Sequence, residues 1–204
     1  VKTTFFGMSN IEKYSFPMKA TSDAIILRNR LLQNFEDAVG NPNDEERKAL
    51  LNVVVIGGGP TGVEVSGALG EMKYNVIPKE YREINMHEVK VTLIEAGSRI
   101  LPNMSSHAST KTEEYLFELG VSVEKNMKVI DYDGDFLCFA NGVKIHTKTV
   151  VWAAGIMGAV LPGIPESVIG KRGRITTNCY NQVDGFDNIF AIGDIALVQG
   201  DEKF

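Results

Sequence analysis

The chain has 204 residues, is 44% hydrophobic and carries a formal net charge of -5 with a pI near 5.3. That length allows one large domain or one domain with pieces of another, and the acidic balance, without any run of lysine or arginine, excludes a nucleic-acid surface. Two cysteines, Cys138 and Cys179, lie too far apart for a C-x-x-C pair or a thiolate site and suggest a reducing compartment, and His87, His107 and His146 lack the i, i+4 spacing of a helical metal pair, so no metal is expected.

Residues 1–19 carry Phe5, Phe6, Tyr14 and Phe16 without a clear period and read as loop and short strand. Residues 22–39 read as a helix with Thr21 or Ser22 as N-cap, Ile25, Ile26, Leu31, Leu32 and Phe35 as its apolar face, and Gly40 as its stop. NPNDEERK is then a polar connection with a helical turn. It leads into residues 51–56, an unbroken apolar run rich in valine, as expected of a parallel strand buried on both faces.

Gly57, Gly59 and Gly62 follow at G-x-G-x-x-G spacing. In that pattern the first glycine permits a tight turn, the second lets a pyrophosphate approach the backbone, and the third lets helix and strand pack closely. The helix continues with Ser66 and Gly70 as a small-residue stripe toward the sheet. Its N-terminus offers free N–H groups and the positive end of the macrodipole. Glu64 sits where an acid is also stabilised by that dipole, at about 0.3 to 1 kcal/mol.

Residues 74–88 are charged and irregular, interrupted by Pro78, and residues 89–94 read as a second buried strand ending in Glu95. Glu95 lies 33 residues beyond Gly62, longer than the roughly 20 of the usual fingerprint, and the 74–88 excursion accounts for the excess. An acid there accepts hydrogen bonds from adenosine ribose hydroxyls and repels a 2′-phosphate, favouring NAD over NADP; Arg99, four residues on, tempers that exclusion.

Residues 105–119 form a helix capped by Ser105 or Ser106 and ended by Gly120. Residues 121–124, 128–132, 136–140 and 143–147 alternate with turn signals and read as an antiparallel meander. Residues 150–153 resume a buried strand and end in Ala154-Gly155, small residues at a strand C-terminus, where ligands bind in open α/β sheets. The longest apolar stretch, residues 150–164, is broken by glycines and Pro162 and is shorter than the about 20 residues a bilayer span needs. After the basic turn KRGR come a short strand around Ile175 and a second buried run, IFAIGDIA.

The order GGGPTGVE, VTLIEA, VVWAAG, IFAIGD resembles the two-dinucleotide flavoprotein reductases of the pyridine nucleotide-disulfide oxidoreductase superfamily, and within them the type II NADH dehydrogenases, NADH:quinone oxidoreductases. The opening TTFFGMSNIEKYSFPMKATSDAIILRNRLLQNFEDA is similar to the segment leading from that family's FAD domain into its NADH domain. The implied fold is α/β: a Rossmann-like parallel sheet with helices and an antiparallel β-meander, flanked by partial FAD-domain segments. Residues 1–22 would be a FAD-domain remnant and connection, 23–158 the NADH-binding domain with its leading helix, and 159–204 an incomplete C-terminal FAD-domain remnant.

The resemblance implies that Gly57, Gly58, Gly59, Pro60, Thr61 and Gly62 hold the pyrophosphate, Glu95 the adenosine ribose, Ala96 and Val129 the adenine, and Ala154, Gly155 and Ile156 the nicotinamide end. Gly193 and Asp194 would contact the ribityl or phosphate region of the flavin. Glu64 would be the catalytic group, holding the nicotinamide amide and assisting proton delivery during quinone reduction.

Two features depart from the family. One G-x-G-x-x-G is present where two dinucleotides need two, and the chain stops at Phe204, before the region that carries the family's quinone site and membrane-binding helices. The expectation is a fragment that binds NADH, does not hold FAD tightly, and is inactive alone. The full-length protein would be cytoplasmic, peripheral on the inner membrane, with quinone and the membrane surface reached through regions outside this chain; a homodimer is left open. Another flavin-dependent reductase of the same superfamily and a non-catalytic NAD-binding module are the alternatives.

Overall fold

The computed structural model describes residues 1–200. In chain order its elements are β1 (Lys2–Thr3), α1 (Ser9–Tyr14), β2 (Phe16–Pro17), α2 (Thr21–Ala38), α3 (Asp44–Leu50), β3 (Asn52–Ile56), α4 (Pro60–Asn75), α5 (Ile77–Glu80) and β4 (Lys90–Ile94). There follow α6 (Ser106–Glu118), β5 (Val121–Glu124), β6 (Val129–Tyr132), β7 (Phe136–Phe139), β8 (Lys144–His146), β9 (Thr149–Trp152), β10 (Ile156–Met157), β11 (Ile175–Thr177) and β12 (Ala196–Val198). The described residues fall into two units, Phe5–Ala154 and Val1–Thr4 with residues 155–200.

The larger unit is built on a five-stranded sheet of order β2-β9-β3-β4-β5, parallel throughout. Side chains alternate faces along a strand, so a strand buried on both sides must be apolar at every position. In β3, Val53 and Val55 face a core with Leu27, Leu31 and Phe35 of α2, Leu69 of α4 and Leu116 of α6. Val54 and Ile56 face a second core with Ile94, Val150 and Trp152, against Val129, Tyr132, Leu137 and Phe139 of the meander and Ile11 of α1. Each such side chain contributes about 1.5–3 kcal/mol on burial. The antiparallel meander β6-β7-β8 is thus the third layer, with α2, α4 and α6 on one face of the sheet and the meander and α1 on the other. Tyr132 lies under it, donating its hydroxyl toward the carbonyls of Thr147 (3.0 Å) and Gly134 (3.1 Å), and burial pushes its phenol pKa up.

Several expectations are corrected. Residues 121–124 are not the first strand of the meander: β5 is the edge of the parallel sheet, paired with β4 from Val91↔Val121 to Ile94↔Glu124. Val121 packs in the helix-side core, and the preceding α6 supplies the crossover that a parallel pair requires. Residues 1–19 contain a helix, α1, anchored by the fully buried Ile11. The polar connection is a seven-residue helix, α3, whose N-cap Asn43 accepts from the amides of Glu45 (3.1 Å) and Glu46 (3.2 Å).

The cap of α2 is neither Thr21 nor Ser22. Its N-cap is Ala20, and the Asp23 carboxylate accepts from the amides of Lys19 (2.9 Å) and Ala20 (2.8 Å). Its buried face is Leu27, Leu31, Asn34, Phe35 and Ala38, with Ile25, Ile26 and Leu32 exposed. The 74–88 excursion contains α5, with Pro78 in its first turn, where a missing N–H costs nothing.

In the smaller unit, β1 pairs antiparallel with β10 and β11 pairs parallel with β12, over a small core of Val168, Ile175, Val183 and Ala191. The IFAIGDIA run is not buried as expected: Phe190 and Ile192 are 60% and 71% exposed. Ile189, Ala191, Ile195 and Ala196 meet that core, and residues 196–198 form a strand, β12.

Candidate functional site

The parallel strands β3, β4 and β9 end on one edge of the sheet in Ile56, Ile94 and Trp152, and the loops beyond them enclose a cleft of about 540 Å³. Gly57, Glu95, Ala96, Val129 and Ala154, five residues singled out in the sequence, line it together with Phe6, Met8, Met127, Lys128 and Ile130. This is the carboxyl-terminal edge, where open α/β sheets bind ligands.

The glycine turn is built to tight tolerances. Gly57 has φ +112°, donates to the Ile94 carbonyl (2.8 Å), and would place a Cβ 2.6 Å from the Ala153 oxygen. At Gly62 a Cβ would fall 1.8 Å from the Gly57 oxygen, so the third glycine is what lets α4 close onto the turn. Gly59 differs: it is the N-cap of α4, and a Cβ there would meet nothing within 4 Å. Open space therefore adjoins the backbone at the one fingerprint glycine that a phosphate has to approach. The first intrahelical bond, Val63 N–H to Gly59 O (3.0 Å), leaves the amides of Thr61 and Gly62 ahead of it, and Pro60 has none to satisfy. The residues present fit a dinucleotide.

Glu95 is half-buried, and one of its carboxylate oxygens accepts from the Gly58 amide (2.7 Å), the other from the Gly97 amide (2.6 Å). The acid that ends β4 thus also fixes the glycine turn after β3, and a Cβ on Gly58 would lie 2.9 Å from its Oε2. Each oxygen keeps a lone pair that can accept a ribose hydroxyl. Sequence spacing did not reveal this clamp; the signal available was the extra glycine at position 58, which the fingerprint itself does not require. Arg99 is turned to its own loop, donating to the carbonyls of Pro102 and of Met104 (2.8 Å).

Thr61 and Glu64 are exposed on α4 and do not line the cleft. Because α4 starts at Pro60, Glu64 is its fifth residue and lies beyond the first turn. The dipole contribution expected for it is correspondingly small, since that effect fades within one turn. Gly155 and Ile156 belong to the smaller unit, where Gly155 accepts from the Thr4 amide (3.1 Å) and Ile156 pairs with Thr3. Gly193 (φ +70°) and Asp194 open a short 3₁₀ turn, residues 193–195, in that same unit.

The chain belongs to the pyridine nucleotide-disulphide oxidoreductase family, whose model matches residues 18–203. It is similar to the type II NADH:quinone oxidoreductase Ndh of Mycobacterium tuberculosis, at 29% identity over 97% of this chain and 44% of that protein. It is also similar to the external alternative NAD(P)H-ubiquinone oxidoreductase B4 of Arabidopsis thaliana mitochondria, at 30% identity over 97% of this chain and 35% of that protein. Among solved structures, NDH2 of Plasmodium falciparum in complex with NADH superposes with a TM-score of 0.85 at 27% identity, covering 97% of this chain and 42% of that one. A ferredoxin reductase from Rhodopseudomonas palustris shares the fold at 15% identity and a TM-score of 0.66. The chain spans less than half the length of these curated relatives.

Proposed function

We propose that residues 5–154 form an NADH-binding domain and that the chain is the NADH-binding part of a flavin-dependent NADH:quinone oxidoreductase. The observation that carries this reading is the convergence of Gly57 of the glycine turn, Glu95, Ala96, Val129 and Ala154 on one cleft at the strand ends. It is supported by a fold that superposes on an NADH complex and by relatives named for NADH and quinone.

In this reading the open backbone at Gly59 and the N-terminus of α4 receive the pyrophosphate. Glu95 accepts the ribose hydroxyls while clamping Gly58 and Gly97, and Ala96 and Val129 border the adenine. Ala154, Gly155 and Ile156 serve the nicotinamide end. Glu64, exposed and uncommitted to any ion pair among the described residues, holds the nicotinamide amide and assists proton delivery. Gly193 and Asp194 serve the flavin. In the longer protein FAD supplies the redox chemistry between NADH and quinone. We place that protein on the cytoplasmic face of a membrane as a peripheral enzyme; among the described residues no helix is long and apolar enough to cross a membrane.

Calorimetric titration of the chain with NADH and NADPH tests the assignment. NADH is expected to bind and NADPH to bind at least about tenfold more weakly, because a 2′-phosphate would meet the Glu95 carboxylate. Equal affinities, or no binding of either, would count against it.

A further inference from the structure

We propose that Phe6 is a stacking surface for the adenine of the bound dinucleotide, presented over the cleft by a left-handed turn of the chain. The proposal rests on the NADH reading above and adds a residue to it. Phe6 has φ +52° and Gly7 φ +80°, two successive left-handed positions. Glycine adopts that conformation freely, but a bulky aromatic residue holds it only where its surroundings over-determine it.

Those surroundings are visible. The Met8 amide closes the turn onto the Phe5 carbonyl (2.9 Å), and α1, which follows directly, is pinned by the buried Ile11. Phe5 takes the core position, stacked on Trp152 with centroids 6.1 Å apart. Phe6 meets the edge of Trp152 at 6.4 Å and stays 54% exposed. The chain thus holds an exposed aromatic ring, on a left-handed backbone position, against the cleft.

The other walls identify what the ring would meet. Glu95, the ribose acceptor, lines the same cleft, which places the adenosine half of the ligand there. Met127, Val129 and Ile130 line it too and offer aliphatic surface to a flat base. Stacking on an aromatic face is worth enough per base to change affinity about tenfold.

The test compares NADH with ADP-ribose, which keeps the adenosine half and lacks nicotinamide, in the wild-type chain, Phe6→Leu and Phe6→Tyr. Phe6→Leu is expected to weaken both ligands by about tenfold, and Phe6→Tyr, which keeps the aromatic face, to bind both as the wild type does. Ligand-free melting temperatures should be alike in all three. Unchanged affinity in Phe6→Leu would overturn the proposal while leaving the NADH reading standing. So would a loss for NADH without a loss for ADP-ribose, or an equal loss in Phe6→Tyr. Failure of the wild-type chain to bind either ligand would overturn both.

Discussion

Glu95→Ala is expected to weaken NADH binding by about 100-fold while leaving NADPH binding unchanged or slightly stronger. The proposed role gives the carboxylate two ribose hydroxyls, and hydrogen bonds to a charged group are worth roughly 1.5–3 kcal/mol each, so losing both costs at least about two orders of magnitude in affinity. The same substitution removes the acceptor of the Gly58 and Gly97 amides. It should therefore also lower stability, by roughly 1–3 kcal/mol, since donors left without an acceptor bear a desolvation penalty. The two effects separate in the measurement. A loosened turn weakens NADH and NADPH alike, whereas lost ribose recognition changes the ratio between them. Titration of both nucleotides alongside a denaturant unfolding curve reads each quantity, and an unaltered NADH/NADPH ratio would remove the ribose assignment.

Gly62→Ala is expected to destabilise the larger unit by about 3–5 kcal/mol, near the limit for single substitutions. Its Cβ would lie 1.8 Å from the Gly57 carbonyl oxygen, and that carbonyl cannot turn away. Gly57 is held by the hydrogen bond its N–H donates to the Ile94 carbonyl (2.8 Å) and has the Ala153 backbone against its own open side. Relief requires α4 to move off β3, which opens the core where Leu69 meets Val53 and Val55. Gly59→Ala is the paired control: a Cβ there meets nothing within 4 Å, and φ is -76°, which alanine adopts readily. It should cost at most about 1 kcal/mol of stability, the difference between glycine and alanine at an N-cap, yet obstruct the pyrophosphate and impair NADH binding. Two alanines three residues apart should thus fail for different reasons, one in unfolding and one in binding.

The strand, turn and helix from β3 to α4 were legible because each signal is local: a run of valines, glycines at fixed spacing, and small residues at four-residue intervals along the helix. What depended on pairing between distant segments was not. The Val121 and Val123 alternation of β5 suits the edge of a parallel sheet as well as a meander, and only its neighbour β4 decides which. The two isoleucines of IFAIGD look like core in sequence, but Ile192 is exposed because the small cluster around Val183 takes one face only. The site divides the same way. Gly57, Glu95 and Ala154 were found from strand ends and glycine spacing, which fix where ligands sit, and Ala96 and Val129 from the family resemblance. The bond from Glu95 to Gly58 spans 37 residues of sequence and carries no local mark. Phe6 left a faint one, an aromatic residue directly before a glycine in a stretch without periodicity.

If NADH lies across the strand ends of the larger unit as proposed, backbone amide exchange with and without NADH locates it most directly. The account predicts slowed exchange at residues 57–62, 95–97 and 127–130, with the edge strand β5 and the 3₁₀ turn at residues 193–195 unaffected. Protection absent from the glycine turn and the Glu95 loop, or concentrated elsewhere in the chain, would contradict it.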